Sequence, residues 1–120
     1  MTRATQPRVF LFLQGPHGPF FAQLARQLSA AGHKVLRAGF NAGDRAFWSD
    51  PASYVAIKNP IEAWPARFDA LVAEHGVTDI VLYGDTRPVH ALAKEQAYAA
   101  GICVHVFEEG YLRQIGRAHV

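Results

Sequence analysis

Two adjacent glutamates near the end of the chain, Glu108 and Glu109, are the residues best suited to chemistry. They follow the apolar run "ICVHVF" and precede Gly110 and, a little further on, Arg113. Carboxylates with perturbed pKa values gather in clefts, where they act as acids, bases or electrostatic groups. Neighbouring residues of a strand point to opposite sides, so we do not expect a matched acid–base pair. We predict that at least one lines a ligand site, while the other could pair with Arg113 or Arg87.

Three other apolar runs are also followed by polar residues with binding chemistry. These are Gln14, Gly15, Pro16 and His17 after the first run, Asn41, Gly43 and Asp44 after the second, and Asp85, Arg87 and His90 after the third. Glycine-rich loops that carry amide, carboxylate, guanidinium and imidazole groups are typical of ligand sites. Plainer roles stay open. The glycines could serve only a tight turn, and Asp85 could only cap the helix that follows it.

Several common motifs are missing. "QGPHG" lacks the spacing of a dinucleotide-binding or Walker loop, although the start of the next helix could hold an anionic group through its free N–H groups. No serine or cysteine has the context of a nucleophile elbow. No two of the six histidines have helical i, i+4 spacing, so we expect no metal site.

The apolar runs themselves predict the elements that position these residues. Residues 8–13, 34–40, 79–84 and 102–107 have the length and composition of buried strands. Helices are predicted between them, from Pro19 to Gly32, from near Trp64 to Gly76, and over 86–101. The order β-α-β-α-β-α-β indicates an α/β fold with a Rossmann-like, doubly wound parallel sheet. Ligands bind such sheets outside the carboxyl ends of the strands, where all four polar loops fall.

Composition narrows the class of protein. The 120 residues include 12 basic and 10 acidic ones without a basic run, so nucleic acid is not expected as a partner. The one cysteine, Cys103, rules out a disulfide within the chain. The apolar run at 9–13 is too short for a signal sequence or a membrane span. We therefore expect a soluble cytoplasmic protein.

With these loops in place, the sequence resembles the bacterial capsule polysaccharide biosynthesis and export proteins. The matching segments are "FLFLQGPHGPFF", "GHKVLRAGFNAGDRAFW", "Y…NPIEAWP", "GVTDIVLYGDTRPVHALA" and "GICVHVFEEGYLR". They cover nearly all of 8–113 in order, and "FNAGD" and "FEEGYLR" are the most specific of them. More narrowly, it resembles the shorter of the two capsule-linker β-Kdo transferases of this family.

The resemblance implies a retaining glycosyltransferase that takes Kdo from CMP-Kdo and builds a Kdo linker on a lipid. Related transferases have a GT-B-like architecture of two Rossmann-like halves, in which the N-terminal half mostly serves the acceptor. The implied donor substrate, CMP-Kdo, would be bound mainly by a C-terminal half, and no covalently bound cofactor is implied. The implied partners are a lipid-linked sugar acceptor, that C-terminal half, and the capsule export and assembly machinery. The implied location is peripheral, at the inner face of the cytoplasmic membrane.

The family motifs map onto the loops described above. Glu108 and Glu109 fall in the family's acidic loop, so we expect one of them to face the reacting sugar. Substrate contacts are expected from Gln14, Gly15, Pro16, His17, Asn41, Gly43, Asp44, Asp85, Arg87, His90, Gly110 and Arg113. The other catalytic carboxylate and the nucleotide-binding motifs of the family are expected beyond Arg113, so these 120 residues alone are expected to be inactive.

Three regions are predicted along the chain. Residues 1–7 are expected to be a disordered tail, and 8–113 an N-terminal Rossmann-like domain of an incomplete protein. The last six residues, "IGRAHV", match one reading frame of a widely used sequencing adapter, ATC GGA AGA GCA CAC GTC. Our hypothesis is that 114–120 are adapter read-through; different genomic codons after Arg113 would support it.

Two alternatives stay open. The chain could instead be a free-standing α/β module that binds a ligand or partner without catalysis. The aromatic residues of the long predicted loop at 41–59 could form a lid packed on the sheet edge or a sugar-stacking platform. If this half meets a second domain, exposed apolar surface is expected around Phe47, Trp48 and Tyr111.

Overall fold

The fold is built on one mostly parallel sheet. The structure is a computed structural model that describes residues 7–13, 20–40, 48, 50–58, 61–83, 88–108 and 111–117. In that part of the chain the strands are β1 (Val9–Phe12), β2 (Lys34–Gly39), β3 (Tyr54–Ala56), β4 (Asp79–Tyr83), β5 (Cys103–Glu108) and β6 (Tyr111–Arg117). They lie in the order β3-β2-β1-β4-β5-β6. The first five are parallel and β6 is antiparallel to β5, which confirms the predicted Rossmann-like α/β fold.

Three helices connect the parallel strands: α1 (Phe20–Ala30), α2 (Trp64–His75) and α3 (Pro88–Ala100). The predicted start of α2 at Trp64 is confirmed, and Pro65 lies in its first turn, where a missing N–H costs nothing. The helix ends at Gly76, whose φ of 67° is left-handed and whose N–H donates to the carbonyl of Val72 at 2.8 Å. None of the helices in the described residues is long and apolar enough to cross a membrane.

The helices cover the two faces of the sheet separately. On one face, which we call the α1 face, α1 buries Phe21, Ala22 and Ala25 against strand residues such as Phe12 and Val81. The opposite face carries α2 and α3. There Trp64, Phe68, Leu71, Ala93 and Ala97 pack on strand residues that include Leu11, Leu36, Ile80, Leu82, Val104 and Val106. Alternate residues of each strand thus serve different layers, because successive side chains point to opposite faces.

Two strands were not predicted. β3 lies inside the segment interpreted as a long loop, and its three residues are too few to show a periodic pattern. β6 lies where the sequence indicated only a loop and a tail, and it pairs from Glu108↔Tyr111 to Cys103↔Arg117. Because β6 extends to Arg117, it includes residues 114–117 of the proposed read-through segment. The read-through hypothesis and the three predicted regions stay predictions.

Gly39, the last residue of β2, leaves room for the ring of Tyr54 across the strand. A Cβ atom at this position would overlap the hydroxyl and ring carbons of Tyr54. We expect Gly39→Ala to lower the free energy of unfolding by about 1–3 kcal/mol, because the rigid ring must leave its place against the core. Urea denaturation of the 120-residue chain measures this change.

The control is Gly39→Ala in a chain that lacks the Tyr54 ring. In a Tyr54→Ala background, Gly39→Ala should cost much less, because the overlapping atoms are gone. An equal cost in both backgrounds would show that the backbone of Gly39, and not the contact with Tyr54, is responsible.

Candidate functional site

The crossover point of the sheet lies between β1 and β4. From β1 the chain proceeds to β2 and β3 on one side, then returns to β4 and β5 on the other. β1 and β4 pair in parallel from Phe10↔Asp79 to Phe12↔Val81, and the N–H of Leu13 donates to the carbonyl of Val81 at 3.0 Å. The helices that follow these two strands, α1 and α3, lie on opposite faces of the sheet. In sheets of this kind, the ligand-binding crevice forms at the carboxyl edge between two such strands. This crevice is the candidate site.

The predicted loops leave the sheet at this edge. β1 is followed in the chain by Gln14, Gly15, Pro16 and His17, β2 by Asn41, Gly43 and Asp44, β4 by Asp85 and Arg87, and β5 by Glu109 and Gly110. These residues lie outside the described part of the chain. Their roles therefore stay predictions, supported by the position of the strand ends that precede them.

Glu108 and Arg113 belong to the hairpin formed by β5 and β6. Glu108 is the last residue of β5 and pairs with Tyr111, while Arg113 pairs with Val106. The register of β5 is held by Val104 and Val106, which are fully buried. The start of the acidic loop therefore has a defined position next to β4.

His90 is on the sheet-facing side of α3. It is the third residue of that helix and is 0% exposed. The spacing to Ala93 and Ala97, which are also fully buried, places all three on one stripe of the helix. His90 therefore lies near the carboxyl edge but within the core layer, and its contact with substrate stays a prediction.

Sequence analysis missed a buried arginine on β2. Arg37 is 5% exposed, and its guanidinium carbon lies 5.5 Å from the ring centre of Phe21 and 5.7 Å from that of Trp48. Cation–π attraction stabilises a guanidinium between aromatic faces. The residue brings a permanent positive charge to within two residues of the carboxyl end of β2. The sequence signal was an arginine inside an apolar strand, on the same face of that strand as Val35 and Gly39.

Trp48 is part of the core of the α1 face. It is 9% exposed, packs on Phe12 with ring centres 5.7 Å apart, and donates from Nε1 to the Ser53 hydroxyl at 2.9 Å. That hydroxyl donates in turn to the carbonyl of Asp50 at 3.1 Å. The expectation of exposed apolar surface at Trp48 is therefore wrong; Phe47 and the side chain of Tyr111 lie outside the described residues.

A charged network occupies the opposite, amino edge of the sheet. Asp79 is 2% exposed and accepts three short hydrogen bonds, from Arg8 Nε at 2.7 Å, the Thr78 hydroxyl at 2.6 Å and His105 Nε2 at 2.7 Å. The Arg8 guanidinium also contacts the sulfur of Cys103 at 3.3 Å. The network joins the amino ends of β1, β4 and β5, far from the edge where ligands bind such sheets.

The network determines the protonation of its members. Burial alone would raise the pKa of Asp79, but the hydrogen bonds from His105, Thr78 and Arg8 outweigh burial and hold the pKa below its ordinary value. The hydrogen bond to Asp79 raises the pKa of Arg8 in turn. Since ionised Asp79 can only accept, His105 donates from Nε2. We interpret this network as structural. Among the described residues, no cluster of three or more His, Cys, Asp and Glu side chains could hold a metal ion.

The chain is similar to known capsule polysaccharide proteins. The family model "Capsule polysaccharide biosynthesis protein" matches residues 78–115, which contain β4, α3, β5 and the first part of β6. Over 104 residues, or 87% of the chain, it is 39% identical to "Capsule polysaccharide export protein KpsS" of Escherichia coli. It is 38% identical to "Capsule polysaccharide modification protein LipB" of Neisseria meningitidis serogroups A and B, over 86% of the chain.

These matches cover only part of each relative. The aligned region is 26% of the Escherichia coli protein and 25% of the Neisseria proteins, so the chain spans about a quarter of the length of the curated relatives it matches. The region that the family model matches includes the carboxyl ends of β4 and β5. By its fold, its motifs and these matches, the chain belongs to the capsule polysaccharide biosynthesis family.

Proposed function

We propose that this chain is the acceptor-side part of a retaining β-Kdo transferase. In this proposal the intact protein uses CMP-Kdo to build the lipid-linked Kdo linker of a capsule polysaccharide. The bond between Kdo and the phosphate of CMP breaks, CMP leaves with the bonding electrons, and an acceptor hydroxyl forms the new bond as it loses its proton. At least one of Glu108 and Glu109 assists at the sugar.

The observation that carries the proposal is the convergence of the family's loops at one edge. β1, β2, β4 and β5 are parallel, so the segments that follow them all begin at the same end of the sheet. The adjacent glutamates begin at the end of β5, beside the crossover point.

The proposal divides the work between two parts of a longer protein. The described sheet binds the acceptor, and a second Rossmann-like half binds CMP-Kdo and closes the crevice against water. The acceptor is a lipid-linked sugar, so the protein works at the inner face of the cytoplasmic membrane as a peripheral protein. It passes its product to the capsule export and assembly machinery.

A transfer assay with the intact protein tests the proposal. The protein is incubated with CMP-Kdo and a soluble oligo-Kdo acceptor, CMP release is followed, and the product is analysed by mass spectrometry and NMR. We expect one Kdo to be added per CMP released, with a β linkage. Another CMP-activated sugar serves as the donor control. Binding of the acceptor without transfer would instead favour the module without catalysis.

A further inference from the structure

At the carboxyl edge lies an aromatic side chain that the core covers only in part. Phe20 is the first residue of α1 and is 38% exposed, the one exposed large hydrophobic side chain among the described residues. α1 is already anchored by Phe21, Ala22 and Ala25, which are buried. The other outward positions nearby, such as Gln23, are polar and exposed. Contacts within the protein therefore leave more than a third of Phe20 uncovered, at 38% exposure.

The Phe20 ring contacts one ring of the sheet, that of Phe107. The two rings meet edge to face, with centres 5.2 Å apart and planes at 68°. Phe107 directly precedes Glu108, and it lies opposite Tyr83 in the register of β4 and β5. Phe107 and Tyr83 are half-buried and pack against the core of the α1 face. We call Phe20, Tyr83 and Phe107 the aromatic rim.

The chemistry of the rim suits a sugar ring. The face of a phenyl ring is electron-rich, and the axial C–H groups of a pyranose carry a small positive charge, so the two attract in addition to their apolar contact. The rim also begins next to the acidic loop, where an acceptor sugar must lie in the proposed reaction.

We propose that Phe20, supported by Phe107, is a stacking platform for a sugar ring of the saccharide acceptor. The platform orients the acceptor hydroxyl toward the loop of Glu108 and Glu109. This inference rests on the proposed function for the identity of the sugar. The stacking itself requires only a saccharide ligand at the carboxyl edge.

The test compares four substitutions of Phe20 that differ in ring character. NMR titration of the 120-residue chain with an oligo-Kdo acceptor gives the dissociation constant. Phe20→Ala and Phe20→Leu should both weaken binding about tenfold, because neither offers an aromatic face, whereas Phe20→Tyr and Phe20→Trp should stay within about threefold. In the intact protein, Phe20→Ala should raise KM for the acceptor and leave KM for CMP-Kdo unchanged. Gln23→Ala, on the same helix, is the matched control and should change neither value.

Each other outcome has a defined meaning. Unchanged binding by Phe20→Ala, or full binding by Phe20→Leu, would overturn the platform, even if the intact protein transfers Kdo. If the wild-type chain binds no oligo-Kdo but Phe20 governs its binding to phosphatidylglycerol vesicles, a lipid chain and not a sugar occupies the rim, and the platform is wrong. If the intact protein transfers no Kdo while the chain still binds the saccharide through Phe20, the platform stands and the proposed reaction fails.

Discussion

Asp79→Asn is expected to lower the free energy of unfolding by about 3 kcal/mol, since it removes the charged acceptor of a buried network. The carboxylate receives donors from Arg8, Thr78 and His105 within 2.7 Å, and the carboxamide has one acceptor atom to offer them. Arg8 and His105 are partly exposed and can hydrogen-bond to water in the variant. The loss of stability should therefore lie near the lower end of the range for breaking a buried ion pair. Urea denaturation at neutral pH measures the change.

Asp69 provides the matched control. It is an exposed carboxylate on α2 that accepts a hydrogen bond from Gln96 at 2.8 Å. Asp69→Asn should cost about 0.5 kcal/mol or less, because a solvated carboxylate contributes little. Equal losses for the two variants would contradict the interpretation of the Asp79 network as a buried anchor.

The pH dependence of the Asp79→Asn variant shows whether charge causes its loss of stability. The pKa of Asp79 is lower in the folded chain than its ordinary value of 3.8. Its contribution to stability is therefore complete above that value and is lost as the pH falls through the lower, folded pKa. The difference in unfolding free energy between wild type and Asp79→Asn should shrink below about pH 4. A difference that stays constant down to pH 2 would argue that packing, not charge, causes the loss.

Glu108→Gln and Glu109→Gln are expected to differ sharply in the transfer assay. One of them should lower kcat of the intact protein by about 100-fold or more, the usual effect of losing a group that assists proton transfer or charge at the reacting centre. The other should change kcat by less than about threefold, because adjacent residues of an extended chain point to opposite sides. The double variant should match the more damaging single one.

Glu95→Gln is the matched control for these two substitutions. Glu95 is an exposed residue in the middle of α3, away from the carboxyl edge, and its replacement should leave kcat unchanged. Circular dichroism confirms that each variant is folded. If the double variant keeps the wild-type rate, the acidic loop takes no part in the reaction, but the conclusions about fold and family are unaffected.

In this interpretation, the amino end of the sheet stabilises the fold and the carboxyl end binds ligands. At the amino end, charged groups are satisfied by one another: Asp79 is buried and its donors belong to the protein. At the carboxyl end, the loops carry polar groups whose expected partners are ligands. Substitutions at Asp79 should therefore change stability before activity, and substitutions at Glu108 and Glu109 should do the reverse.

The sequence was sufficient for the four long parallel strands and the three helices. Each apolar run is bounded by glycine or proline, and each helix has a buried stripe and a recognisable stop, so local pattern and tertiary packing agree. β3 was missed because three residues are too few to show a periodic pattern, and its position depends on pairing with β2, where Tyr54 lies over Gly39. β6 was missed because it depends on pairing with the edge of β5, which no local pattern records.

For the candidate site, the sequence by itself determined which residue types follow each strand and which family uses them. Only the tertiary structure decided which strands are neighbours, since residues of β1 pair with residues of β4 that lie 69 positions further along the chain. It also decided that Trp48 is buried while Phe20 is exposed, and that Arg37 lies between aromatic rings. Hydrophobicity is a property of one residue, but burial depends on which surfaces meet when the sheet and helices pack.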